Sequence, residues 1–233
     1  MGQIDGQFVI IAGHASSLRE AAAMRLKAEG AEVAIVEPTA EAVAQAAEKA
    51  GRLDALVNVL KSGTSGNTLA DGNASEMRGA LDQVAAFADT MRAAYPWLKL
   101  SKGRIANVCS VYGSTALTGL SDNVTADSAI LGLTRSVGAE MARDGIRVNS
   151  VVPGALDVPE TRELRERHAG ETERRVRGIA LHRLGDPVED FGGALMMLLS
   201  DEWCFMVGHP VHADGGQHLA APVAEPAAPY AST

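Results

Sequence analysis

Two short, β-branched apolar runs, Ile105 to Val108 and Ile146 to Val152, read as buried parallel strands. Between them the pattern predicts one long helix, Asn123 to Arg143. Val124, Ile130, Leu131, Val137 and Met141 fall near a helical period there, and Gly145 sits where a C-terminal glycine would. Upstream, Phe8 to Ala12 and Glu32 to Val36 read as strands around a helix, Ser17 to Glu29, closed by Gly30. A single helix, Ala40 to Ala50, follows. Ser62 to Ser75, rich in Gly, Ser, Asn and Thr, reads as a loop. A second long helix, Ser75 to Tyr95, places Met77, Leu81, Val84, Phe87, Ala88 and Met91 on one stripe. Pro159 to Gly178 is charged and helical, a solvated face or lid. Alternating strands and helices of this kind predict an α/β fold.

Composition narrows the picture. With 233 residues, 46% hydrophobic and 21% charged, the chain predicts one domain over 1–219 and an Ala/Pro-rich tail over 220–233. Aromatics are 4%, so Ala, Val, Leu and Met must fill the core. A net charge of −8 argues against a nucleic-acid footprint. No apolar run approaches the roughly 20 residues of a membrane span, and no signal peptide opens the chain, so a cytoplasmic protein is expected. Cys109 and Cys204 make no disulfide framework, and Cys109 reads as a small core residue. Six histidines are scattered. His209 and His212 lie near the last strand without a ligand spacing, and no metal site is expected.

Three segments carry a resemblance: Gly51–Asn58 (GRLDALVN), Gly103–Gly154 with its GRIANVCS and VNSVVPG ends, and Arg183–Gly216 with RLGDPVED and a final ADGG. The chain resembles the short-chain dehydrogenase/reductases, and the resemblance implies a Rossmann-like fold with a doubly wound parallel sheet, a strand within Gly51–Asn58, a last helix over Val188 to Leu199 and a final strand within Phe205–Gly216. It also implies that about two dozen residues are missing after Glu37, the family's outer third strand and one helix. That leaves a sheet of about six parallel strands.

The same alignment places the family's chemistry. Ser110 stands at the catalytic serine. Asn123 stands where the tyrosine belongs, Asp127 where the lysine belongs, and Asp82 where a helical asparagine belongs. An amide is no general acid or base near neutral pH, and a carboxylate reverses the charge the site needs. Tyr112 is not expected to substitute. Of the glycine-rich phosphate loop only Gly13 remains, with Ser17 and Arg19 at the other two positions. Ser17-x-x-Glu20 also reads as a capping box, and Arg19 falls on the helix-packing side. Glu37 occupies the place of the ribose-binding acid. Asn58-Val-Leu-Lys61 replaces a run of small residues that lets the chain pass close to the cofactor. Val158 replaces a threonine that touches it.

These losses predict a catalytically silent chain with no cofactor of its own, assembled with an active subunit that holds NAD(P). The expected assembly is a hetero-oligomer, a tetramer in the manner of heteromeric hydroxyacyl-CoA dehydrogenases, which the chain most resembles. An enzyme of altered, cofactor-independent chemistry and a ligand-binding regulatory module are the alternatives.

Overall fold

The computed structural model describes residues 4–60, 69–115, 119–159, 162, 166–167 and 169–219. Phe8–Gly13 (β1), buried at every position, leads into Ser17–Ala28 (α1) and Glu32–Val36 (β2). Ala40–Ala50 (α2) is capped by Thr39 and closed by Gly51 in the left-handed region, φ 69°, where glycine carries no Cβ penalty. Ala55–Val59 (β3) and Ala74–Ser101 (α3) follow, then Arg104–Val108 (β4) and a 3-10 turn, Val111–Gly113. Ser121–Met141 (α4) ends in a short 3-10 turn and Gly145, φ 81°. Arg147–Pro153 (β5), Ala169–Arg177 (α5), Gly192–Leu199 (α6) and Pro210–Ala213 (β6) complete the order.

All six strands are parallel, in the order β2-β1-β3-β4-β5-β6. This is the expected doubly wound sheet without its outer third strand, since α2 alone fills the stretch between Glu37 and Arg52. The two-residue period of a strand assigns each side chain to a face. Val9, Ile11, Val57 and Val108 pack under α1 and α6, around Phe191 and Leu195. Ile10, Leu56, Ile105 and Val148 pack under α2, α3 and α4, around Phe87, Met91 and Ile130. Cys109 lies in this second layer, where burial pushes its thiol pKa up. Among the described residues, no helix is long and apolar enough to cross a membrane.

Several boundaries differ from the sequence reading. The α1 N-cap is Ser16, whose Oγ accepts from Arg19 N, so no box forms between Ser17 and Glu20. The residue three places after the cap is then an arginine, which cannot reach back as an acceptor. Helix α3 runs through Pro96 to Ser101 because Leu98 beyond it is fully buried and Ser101 Oγ donates to Leu53 O at 2.7 Å. Leu81 leaves the predicted stripe and is exposed, while Phe87 and Met91 are buried. The last helix opens as a π-helical turn, Pro187–Phe191, with Asp186 capping it. The final strand is only Pro210–Ala213, and Phe205 before it is fully exposed. Lys61, half of the Ser62–Ser75 loop, His168 and the 220–233 tail lie outside the described residues, as does part of Pro159–Gly178.

Candidate functional site

The strand order reverses at β1, so the crevice beside the C-terminal ends of β1 and β3 is where ligands enter sheets of this kind. Ser110 follows β4 and caps the 3-10 turn, its Oγ accepting from Tyr112 N at 3.3 Å. Helix α4 lays Asp127 directly over it. The Asp127 carboxylate accepts from Ser110 N at 2.8 Å and from Ser110 Oγ at 2.5 Å. The approach is close enough that a Cβ on Gly113 would lie 2.7 Å from Asp127 Cβ. Asp127 is 1% exposed. Burial raises its pKa from 3.8 to about 6, against the two hydrogen bonds from Ser110. The serine proton is thus directed at a neighbouring carboxylate rather than into the crevice.

Asn123 is buried one turn earlier on α4, next to buried Asp122. Tyr112 is half-buried and packs against the second core layer. Asp82 makes no hydrogen bond with Ser110 or Asp127. It lies exposed on α3 and lines a separate cavity of about 290 Å³ with His14, Glu37, Thr39, Val59 and Phe87.

At the head of α1, Gly13 presses on β3: an added Cβ would meet Val59 Cβ and Val59 O at 3.0 Å. The Arg19 side chain is 14% exposed and reaches the end of β1. Its Nη1 donates to Gly13 O at 2.9 Å, and Nε and Nη2 donate to Glu20 Oε1 at 3.2 and 3.0 Å. Glu37 Oε1 stands 4.0 Å from the same guanidinium, and Glu37 Oε2 is 3.1 Å from His14 Nδ1. An anion brought to this helix end meets the carboxylates of Glu20 and Glu37.

Asn58 and Val158 lie inside the protein. Asn58 Nδ2 donates to Asn107 Oδ1, and Asn107 Nδ2 to Thr134 Oγ1, both at 3.0 Å. Thr90 Oγ1 donates to Asn58 Oδ1, and Ser150 Oγ to Thr134 Oγ1, both at 2.8 Å. This chain of buried polar groups ties β3, β4 and β5 to α3 and α4 with its partners matched. Val158 packs with Leu156 in the first core layer.

One group of polar side chains escaped the sequence reading. Asp214, His218 and His212 gather with Arg183 around a cavity of about 570 Å³ outside β5 and β6. The signal was the four-residue spacing of Asp214 and His218 across the ADGG ending. Among the described residues, no group of three or more His, Cys, Asp or Glu is placed to hold a metal ion.

Residues 37–218 match the family described as enoyl-(acyl carrier protein) reductase. The chain is 31% identical to the short-chain reductase protein NovJ of Streptomyces niveus, over 83% of this chain and 75% of that protein. It is 29% identical to meso-2,3-butanediol dehydrogenase of Serratia marcescens, over 92% and 95%. The ligand-free aldohexose dehydrogenase of Thermoplasma acidophilum superposes with a TM-score of 0.84 at 24% identity, covering 97% of this chain and 99% of that one.

Proposed function

The chain belongs to the short-chain dehydrogenase/reductase family, and on that footing we propose that it is a catalytically silent member. In this reading it assembles in the cytoplasm with an active NAD(P)-dependent dehydrogenase subunit and stabilises it, as a hetero-oligomer and most simply a tetramer. A hydroxyacyl-CoA-type substrate for the partner is part of the proposal. The observation that carries the reading is the Ser110–Asp127 pair. The position where the family needs a cation holds a buried carboxylate, and that carboxylate clamps the one remaining catalytic side chain. The tyrosine's own position supplies no general acid either, because Asn123 does not titrate.

The residues at the strand ends do not fit a dinucleotide. Arg19 already occupies the turn after β1 by bonding the Gly13 carbonyl, and two carboxylates flank it. Asn58 and Val158 are spent inside the core. In this reading the partner packs against α3 and α4. On α3 and α4, an added Cβ at Gly79 or Gly132 would meet nothing within 4 Å, so a neighbouring helix has room to approach. Leu81 is exposed on the same α3.

The test is co-expression with a complete short-chain dehydrogenase encoded beside this chain, compared with each chain alone. Co-purification with a gain in the partner's melting temperature or activity is expected. A partner of unchanged mass, activity and melting temperature would overturn the proposal. Calorimetry on this chain alone should show no NAD(P) binding at micromolar concentrations.

A further inference from the structure

The cavity outside β5 and β6 carries a polar arrangement that the Ser110 site does not use. Asp214, 6% exposed, follows β6 directly. Its carboxylate accepts from Gly216 N at 3.0 Å, from His218 N at 2.8 Å and from His218 Nδ1 at 2.7 Å. Burial pushes the Asp214 pKa up, but the bonds from His218 and Gly216 outweigh it and hold the carboxyl below its ordinary value. An ionised carboxylate on Nδ1 commits the ring proton to that side. The lone pair then sits on Nε2, the arrangement by which an aspartate makes an imidazole a directed base.

The surroundings define what such a base can take. The His212 ring stacks on His218 with centroids 4.2 Å apart and planes at 28°. His212 Nε2 lies 3.0 Å from Ser114 Oγ. Burial and then the neighbouring His218 lower the His212 pKa, with His209 adding to the effect and Asp214 opposing it, so His212 stays neutral at pH 7. Arg183 is bound by Asp190 through two bonds of 2.5 and 2.8 Å, so its charge is already matched. Ala180, Leu181 and Leu219 supply apolar wall. At about 570 Å³ the space is that of a small-molecule site.

We propose that this cavity binds a small compound with an acidic hydroxyl on an apolar body, a phenol or a stable enol, and that His218 takes the hydroxyl proton as the ligand binds. The ligand O–H bond breaks, its electron pair stays on oxygen, and the proton forms the N–H bond at His218 Nε2. The resulting imidazolium lies between the Asp214 carboxylate and the ligand oxyanion. No other reactant is needed. The apolar wall of Ala180, Leu181 and Leu219 beside a single carboxylate-oriented imidazole favours a ligand with one acidic hydroxyl on an apolar body. Among the described residues that line the cavity, Asp190 answers Arg183 and Asp214 faces His218. A neutral acidic hydroxyl brings the proton that creates its own counter-ion. This site goes beyond the assembly reading and stands whether or not a partner subunit binds.

The probe is 4-nitrophenol, titrated with the full chain slightly below neutral pH, where the free probe is largely protonated. Its coloured phenolate reports proton transfer directly. The expected result is a saturable rise in phenolate absorbance. His218→Gln, which can still donate to Asp214, should weaken the response at least tenfold. Leu181→Trp, which fills the cavity and leaves the Asp214–His218 pair in place, should weaken it similarly. Circular dichroism confirms that each variant is folded. No saturable rise with folded wild-type chain overturns the proposal. So does an equal rise in folded His218→Gln, or binding of the probe without ionisation.

Discussion

Asp127→Asn should stabilise the protein above pH 6 and leave it nearly unchanged in acid. The wild-type carboxyl is buried, and burial raises its pKa from 3.8 to about 6. At about 1.4 kcal/mol per pK unit, holding it ionised in the folded state costs about 3 kcal/mol relative to the unfolded chain. A raised acid binds its proton more tightly when folded. Its contribution to stability is therefore greatest below 3.8, falls as pH rises from 3.8 to about 6, and is at its worst above that. Asparagine removes the charge and keeps both contacts, since its carbonyl oxygen can accept from Ser110 N and its amide can donate to Ser110 Oγ. The gain at pH 8 should be about 1–3 kcal/mol, part of the maximum being lost with the charge-assisted bonds. For a chain of this length that is a rise in melting temperature of about 3–10 °C. Urea denaturation of both proteins at pH 4 and pH 8, followed by circular dichroism, measures it. Equal or lower stability of Asp127→Asn at pH 8, with no difference in pH dependence between the two, would refute the argument that burial dominates at this carboxylate.

Asn123→Tyr combined with Asp127→Lys should yield no NAD(P)-dependent turnover, because the Arg19–Glu20–Glu37 group still occupies the turn after β1; measurable turnover in a spectrophotometric assay would disprove this. Thr134→Val removes the acceptor of both Asn107 Nδ2 and Ser150 Oγ and should cost about 1–3 kcal/mol in denaturant titration. Gly103→Ala sets a Cβ 2.5 Å from Asp54 O and 2.6 Å from Leu98 Cδ2 and should cost about 1–3 kcal/mol, whereas an unchanged melting temperature would mean the backbone there yields freely. Gly132→Leu faces open space and should leave the isolated chain folded while abolishing co-purification with the partner; retained co-purification would remove α4 from the interface.

The sequence by itself determined the sheet and its helices, because those elements rest on local periodicity. Glu32–Val36 and Ala40–Ala50 sit where the pattern put them, while the absence of the outer third strand was implied by the family resemblance and not by periodicity. Helix ends were less legible. Pro96 lies inside α3 because distant contacts at Leu98 and Ser101 hold the last turns. The substitutions at Asn123 and Asp127 were readable as losses, but what replaces the lost chemistry was not. Asp127 bonding Ser110, and Arg19 turning back to Gly13, depend on side-chain directions that spacing does not state. The histidine cavity was least visible of all. Ser114 and His212 are 98 residues apart and meet only because α4 and β5 bring β4 and β6 to one end of the sheet. Periodicity says which face of an element is buried; only packing decides which polar groups from remote segments are left facing each other and which of them carry charge.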